Sequence, residues 1–342
     1  MTTDPIRALP TDDFASQATP SRVGRAGGRQ LGAFILRRLA RLAYSVVALA
    51  TVAFLMIRLI PGDPVRNALG INATAAVVER QRESLGLNDP LWMQYLDFWK
   101  GLLTWDLGDS FSLHLPVTTV IEQRLPATLE LTFLSLAVVL LVSVPLGILA
   151  AAFTRGGRRQ FIDVAYTTMS GLLAVIPEFL IGVALVYLFA VQSHVFPVAG
   201  RAGPSSYVLP VLALSIGTAA AVSRIVRVEA LTVFQQDYMR TARSKRMPRR
   251  RLYFRHALPN LMTSSLTIAG IVLASLVAGT VLTETIFSWP GLGLTIVDAV
   301  RSKDFPLAQG IVIVYGLIVL VANLIIDIAL VCLDPRSALK DT

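Results

Sequence analysis

The sequence predicts an all-α polytopic membrane protein. It would have six spanning helices, an extracytoplasmic insertion between the first and second, and a short cytoplasmic surface helix between the fourth and fifth. Three observations predict this. Of 342 residues, 54% are hydrophobic and only 15% are charged, where a soluble domain carries about a quarter charged residues. Several apolar runs exceed the roughly 20 residues needed to span hydrocarbon. Lys and Arg are dense before the first run, between the second and third and between the fourth and fifth, and sparse elsewhere. That alternation puts both termini in the cytoplasm.

The same composition excludes several functions. The net charge of +9 lies beside membrane spans without interleaved aromatics, so it suits an anionic lipid leaflet and not nucleic acid. The one cysteine, Cys332, allows no internal disulfide. His114, His194 and His256 are far apart and form no local metal motif. None of the four lysines precedes Ser or Thr, so there is no phosphate loop and no ATP hydrolysis by that route. Neither G-x-S-x-G nor H-E-x-x-H occurs, and the chain reads as non-catalytic, with no cofactor of its own.

Residues 1–30 are rich in Pro, Ser, Thr, Gly and charge, and read as a disordered cytoplasmic tail with no signal peptide. Residues 31–60 hold a basic amphipathic lead-in and a first span from about Leu42 to Ile60, stopped by Pro61-Gly62-Asp63-Pro64. Residues 61–125 form the insertion. From Asp63 to Arg124 eight acids face five bases, as suits the outer side. A helix over Thr74–Leu85 should stop at Gly86. A second should start at Asp89-Pro90, with Asp89 as its cap, and carry Leu91, Tyr95, Phe98 and Leu102 at helical spacing. This insertion reads as a platform for an external partner or as a cover over the outer mouth.

The core, residues 126–336, holds spans two to six. Span two covers Leu125–Phe153 and opens at Pro126. Span three covers Phe161–Val191, with Pro177-Glu178 near its middle. An acid in hydrocarbon is costly, so Glu178 should face the interior as a pathway group, or partner a backbone group freed beside Pro177. Span four covers Tyr207–Ile225 and span five about Leu261–Ile286. In span five, Gly270, Ala274, Ser275, Ala278 and Gly279 make a small-residue stripe, suited to packing within the chain or to a seam with a second membrane chain. Then comes Glu284-Thr285-Ile286-Phe287-Ser288-Trp289-Pro290-Gly291-Leu292-Gly293. Glu284 joins Glu178 as a pathway candidate, and Phe287 and Trp289 suit an outer gate or an interfacial aromatic belt. Span six lies within Asp304–Leu333, and residues 337–342 are a cytoplasmic tail.

The loop from Asp237 to Asn260 reads DYMRTARSKRMPRRRLYFRHALPN. Arg240-Thr241-Ala242, three residues, Arg246, nine residues, then His256-Ala257-Leu258-Pro259 resembles the signature E-A-A-x3-G-x9-I-x-L-P of binding-protein-dependent ABC importer permeases. The Arg-Thr-Ala and His-Ala-Leu-Pro form looks like the peptide/nickel branch, the dipeptide and oligopeptide permeases. The run from Glu284 to Gly293 is similar to a second motif of that branch. The resemblance covers about residues 31–336 and departs at the signature glycine, which is Arg246 here.

The resemblance implies one of two permease subunits in a bacterial inner membrane. A second permease, two ATPases that bind ATP and Mg, and an extracytoplasmic substrate-binding protein would be its partners. Each ATPase would grip a coupling helix, here opened by Asp237 and Tyr238 and closed by Met247. Thr241, Ala242 and Ser244 are small enough to let it sit in a partner's groove. Arg240, Arg243, Lys245 and Arg246 would rim that contact or meet lipid phosphates. His256, Leu258 and Pro259 end the signature. The implied cargo is a di- or oligopeptide, or in relatives nickel, glutathione or haem. A self-powered secondary transporter would instead need paired intramembrane charges and inverted repeats.

Overall fold

The computed structural model of the chain describes residues 26–59, 65–66, 73–84, 86–157, 159–248 and 251–333. The expectations for the tails, Pro61-Gly62-Asp63-Pro64 and Leu85 lie wholly or partly outside those residues. Residues up to Arg41 form one unit and those from Leu42 a second. Helix α1 (Ala26–Leu59) runs through that boundary. Among the described residues, five helices are long and apolar enough to cross a membrane, and a bent pair makes six if it counts as one span. No strand occurs among the described residues.

In the insertion, α2 (Ala75–Ser84) ends at Gly86, whose φ of 63° is the left-handed conformation that glycine adopts without a Cβ clash. The Leu87 N–H bonds back to the Arg82 carbonyl at 3.0 Å, closing the helix end. Helix α3 (Leu91–Thr104) corrects one expectation. Asp89 does not cap it; Pro90, extended at ψ 143°, holds the cap position. The Gln94 side chain donates instead to the carbonyls of Leu87 and Asp89, at 3.0 and 2.7 Å. On α3, Tyr95 and Phe98 meet Phe54 of α1.

Helix α4 (Val117–Thr154) starts well before the expected Leu125 and carries Pro126 and Pro145 inside it. Its first turns belong to a tertiary core, where Val117, Val120 and Ile121 pack with Leu292, Ala299, Leu307 and Ile311. The third span is not one helix. Helices α5 (Gln160–Val175) and α6 (Glu178–Leu185) meet at a 91° bend. Pro177 causes it: its ring forces Ile176 to be extended, and it has no N–H for the Leu173 carbonyl. A π-helical turn, Val186–Gln192, follows.

Helix α7 (Val208–Gln235) runs on past the expected Ile225. The surface helix α8 spans Asp237–Ser244, shorter than the expected 237–247. A π-helical turn (Leu252–Ala257) leads into α9 (Leu258–Ile286). Helix α10 (Leu292–Arg301), which sequence reading missed, precedes α11 (Phe305–Leu333).

Helices α4 and α7 form the most extensive pair, and α9 packs on α4, α7 and α11. Their shared core includes Leu131, Val139, Leu214, Val222, Leu276 and Trp289. Toward the α8 end, Arg227 of α7 pairs with Asp163 of α5 and reaches Thr154 of α4, and Tyr166 donates to Ser223 at 2.9 Å. At the other end, buried Asp304 pins the insertion. Its Oδ2 accepts from Ser110 Oγ (2.5 Å), Ser112 N (2.9 Å) and Ser112 Oγ (2.7 Å).

Candidate functional site

Helix α8 is built as a rigid projection. Met239 and Ala242, three residues apart, are buried in one cluster with Ala151 of α4, Ala230 and Phe234 of α7, Leu252 and Ala257 of the π-helical turn, and Leu261 of α9. Arg243 Nη2 donates to the Phe234 carbonyl at 2.6 Å, tying α8 back onto α7. Burial, then the nearby Arg155, pulls the Arg243 guanidinium below its usual value, which leaves it charged at neutral pH. Asp237, Tyr238, Arg240, Thr241, Ser244, Lys245 and Arg246 are exposed, and Met247 is half-buried. Ala242, expected to face a partner's groove, instead turns its methyl to its own chain, because Met239 and Ala242 share the helix face that meets Phe234. Thr241 and Ser244 do face outward.

Arg246, at the signature glycine's place, has φ 51°. The turn after α8 therefore needs the left-handed backbone that glycine adopts freely and arginine at a cost. Its N–H bonds to the Arg243 carbonyl at 2.8 Å. Leu258 is half-buried at the start of α9. His256 lies in the π-helical turn and Pro259 in the first turn of α9; their side chains are outside the described residues.

Glu178 opens α6 at the bend and lines a cavity of about 430 Å³ with Ile176, Gly217, Thr218, Ser275 and Gly279. It is half-buried and accepts no hydrogen bond among the described residues. Its carboxylate lies over Gly279, where a Cβ would come within 2.5 Å of Oε1 and 2.6 Å of Oε2. The stripe on α9 thus divides by face. Ser275 and Gly279 border the Glu178 cavity, while Ala274 and Ala278 border an apolar groove of about 360 Å³ with Ser45, Leu49 and Gly316. Ala278 borders both. Gly270 packs within the chain, beside Asn323 of α11.

The other three candidates face inward. Glu284, near the end of α9, is fully buried, and its carboxylate meets the start of α10. Its Oε1 accepts from Thr128 Oγ1 (2.7 Å), and its Oε2 from the N–H of Gly293 (2.6 Å) and Leu294 (3.1 Å). A carboxylate there satisfies orphan donors and the positive helix end. A Cβ on Gly291 would stand 2.5 Å from that carboxylate, and one on Gly293 2.9 Å. The glycines of the second motif therefore make room for its glutamate. Trp289 is fully buried, donates from Nε1 to the Ala127 carbonyl at 3.0 Å and meets Tyr207 edge-on. Phe287 is buried against Ala190, Leu209 and Ala213. Neither ring reaches the surface, so neither is an interfacial belt anchor. Sequence reading missed Thr128, Asp304 and Ser112; their partners lie far off along the chain.

Comparison with known proteins agrees with this architecture. The family described as binding-protein-dependent transport system inner membrane component matches residues 143–338, and its N-terminal companion matches 31–132. A probable peptide ABC transporter permease protein of Sinorhizobium fredii is 38% identical over 315 residues, covering 90% of this chain and 99% of that one. A glutathione transport system permease protein of Pectobacterium atrosepticum is 34% identical over 307 residues, covering 90% and 99%. A probable D,D-dipeptide transport system permease protein of Escherichia coli K12 is 32% identical over 320 residues, covering 85% and 93%. Among solved structures, the inward-facing MetNI methionine ABC transporter superposes with a TM-score of 0.51 at 17% identity, over 63% of this chain and 96% of that one. That likeness is one of fold.

Proposed function

The chain belongs to the family of inner membrane components of binding-protein-dependent transport systems, and from that premise we propose that it is one permease of an ATP-driven peptide importer. It is thus a multi-pass inner-membrane permease subunit of an ABC transporter. The peptide cargo is inferred from the relatives named above for peptides and glutathione, and from the two motifs that carry the peptide/nickel likeness. Both termini lie in the cytoplasm in this reading, and α2 and α3 lie outside. A second permease completes the pathway, two ATPases supply ATP and Mg chemistry, and an external binding protein delivers the peptide.

The observation that carries the reading is the core beneath α8. An ATPase gripping the exposed face (Tyr238, Arg240, Thr241, Ser244, Lys245) would pull on Met239 and Ala242. These share one packed cluster with α4, α7 and α9, so α8 cannot move without them. Protein cores are close-packed and transmit displacement with little loss. ATP drives the switch only by favouring one state over another, and α8 is where that difference enters.

Uptake of labelled di- and oligopeptides by cells with and without this chain tests the cargo. Met239→Ala tests the handle, since emptying a buried Met site costs about 2–5 kcal/mol of local packing. The expected result is continued ATP hydrolysis with uptake reduced about tenfold or more. Normal peptide uptake in the deletion strain, with the ATPases still co-purifying with the wild-type chain, would keep the machine and move the cargo to haem, nickel or glutathione.

A further inference from the structure

The bend at Ile176–Pro177 brings the carbonyl end of α5 and the Glu178 carboxylate together, beside the positive start of α6. Proline offers no N–H to the Leu173 carbonyl, so the last turn of α5 keeps carbonyls unpaired. They also carry the negative end of the helix dipole. The Leu173 and Ile176 oxygens both face Gly217 of α7, where a Cβ would stand 3.2 and 3.8 Å from them. Glu178, two residues on, holds its carboxylate over Gly279 in the same cavity. Thr218 and Ser275 add hydroxyls, and none of the lining residues is a cation. A carboxylate in a membrane interior with no partner is costly unless it serves a path or a ligand.

We propose that this cavity receives a primary ammonium group of the cargo, the free α-amino group of a peptide, on Glu178. The inference rests on the peptide reading above and adds a recognition point to it. An ammonium has three donors and no acceptor. One donor meets the carboxylate, and the others meet the carbonyls of the broken helix or the hydroxyls beside it. The volume of about 430 Å³ falls in the range of small-ligand sites. Glycine at 279 is what lets the carboxylate lie there, and an added methyl would push it aside while leaving the backbone intact.

The test uses the whole complex in proteoliposomes, with cargo delivered on pre-loaded binding protein. The probes are labelled tri-alanine and its des-amino counterpart, propionyl-alanyl-alanine. The wild type should carry tri-alanine about tenfold faster, the ratio set by about 1.4 kcal/mol. In Glu178→Gln the two rates should converge to within about twofold. Gly279→Ala keeps the carboxylate but displaces it, and should lose discrimination in the same way. If neither peptide enters with the wild type, the peptide reading fails and this inference with it. If tri-alanine enters and both variants keep the tenfold preference, this inference alone is overturned.

Discussion

Replacing Glu284 separates a clamp from a pathway group. The two carboxylate oxygens accept three hydrogen bonds, from Thr128 Oγ1 and from the N–H of Gly293 and Leu294. A hydrogen bond to a charged group contributes about 1.5–3 kcal/mol, and a neutral one about 0.5–1.5 kcal/mol. Alanine removes all three and leaves their donors unpaired where the side chain is wholly shielded from water. The expected loss is about 3–5 kcal/mol. Glutamine keeps the shape and an acceptor oxygen and forfeits mainly the charge assistance, about 2 kcal/mol. At roughly 2–4 °C per kcal/mol for chains of this order, the apparent Tm should drop by about 10 °C for alanine and about 5 °C for glutamine. The assay is thermal unfolding of the purified complex in detergent at one scan rate, since such unfolding is irreversible. Peptide uptake should fall only as the folded complex falls. An unchanged Tm in Glu284→Gln, with uptake abolished, would refute the clamp and return Glu284 to the pathway.

Two further outcomes follow from groups outside the spans. Burial pushes the Asp304 carboxyl up, but hydrogen bonds from Ser110, Ser112 and the backbone of Ser112 and Phe111 outweigh it and hold it below its usual value. Its stabilisation is present above the unfolded pKa of about 3.9 and is lost as pH falls through the lower folded value. Asp304→Asn should therefore melt below the wild type at pH 6, and the gap should close as pH falls through the depressed folded value; parallel curves throughout an acid titration would contradict the pinning. Arg246→Gly should relieve the left-handed backbone after α8 by about 0.5–1 kcal/mol net. Amide exchange in α8 should slow while uptake is kept, and faster exchange would show that the arginine side chain stabilises the turn.

The apolar runs were legible because the bilayer sets their length. The ends of the helices were not. Val117 begins α4 because Leu292 and Ile311 cover its first turn, and those residues lie nearly two hundred positions away. Hydropathy averaged across Pro177 and hid the bend, although proline after an apolar run was a visible signal. Helix α10 was missed because the Pro-Gly-Leu-Gly run reads as loop, yet Leu292, Ile296 and Ala299 lie at helical spacing. The inward face of α8 was legible in Met239 and Ala242, three apart, had small size been weighed against periodicity. The pairing of Glu284 with Gly291 and Gly293 needed the backbone, since only the fold returns the chain onto that carboxylate.

Helix α9 joins the three parts of the site. Leu261, near its start, belongs to the core beneath α8. Gly279 faces Glu178, and Glu284 near its end is clamped to α4 and α10. From Leu261 to Gly279 is about 27 Å of helix at 1.5 Å per residue, and from Gly279 to Glu284 only about 7 Å. A helix held at Glu284 and pushed at Leu261 would pivot rather than slide. The displacement at Gly279 is then about a fifth to a quarter of that at the α8 end, by the ratio of those lengths. A push of 4 Å on the handle, taken as an order-of-magnitude case, would shift the Glu178 cavity by roughly 1 Å. Alternating access needs a site that stays formed while one end of the bundle opens. In that case the carboxylate at the bend would lie near the pivot, where the lever moves little, and α8 at the end where it moves most.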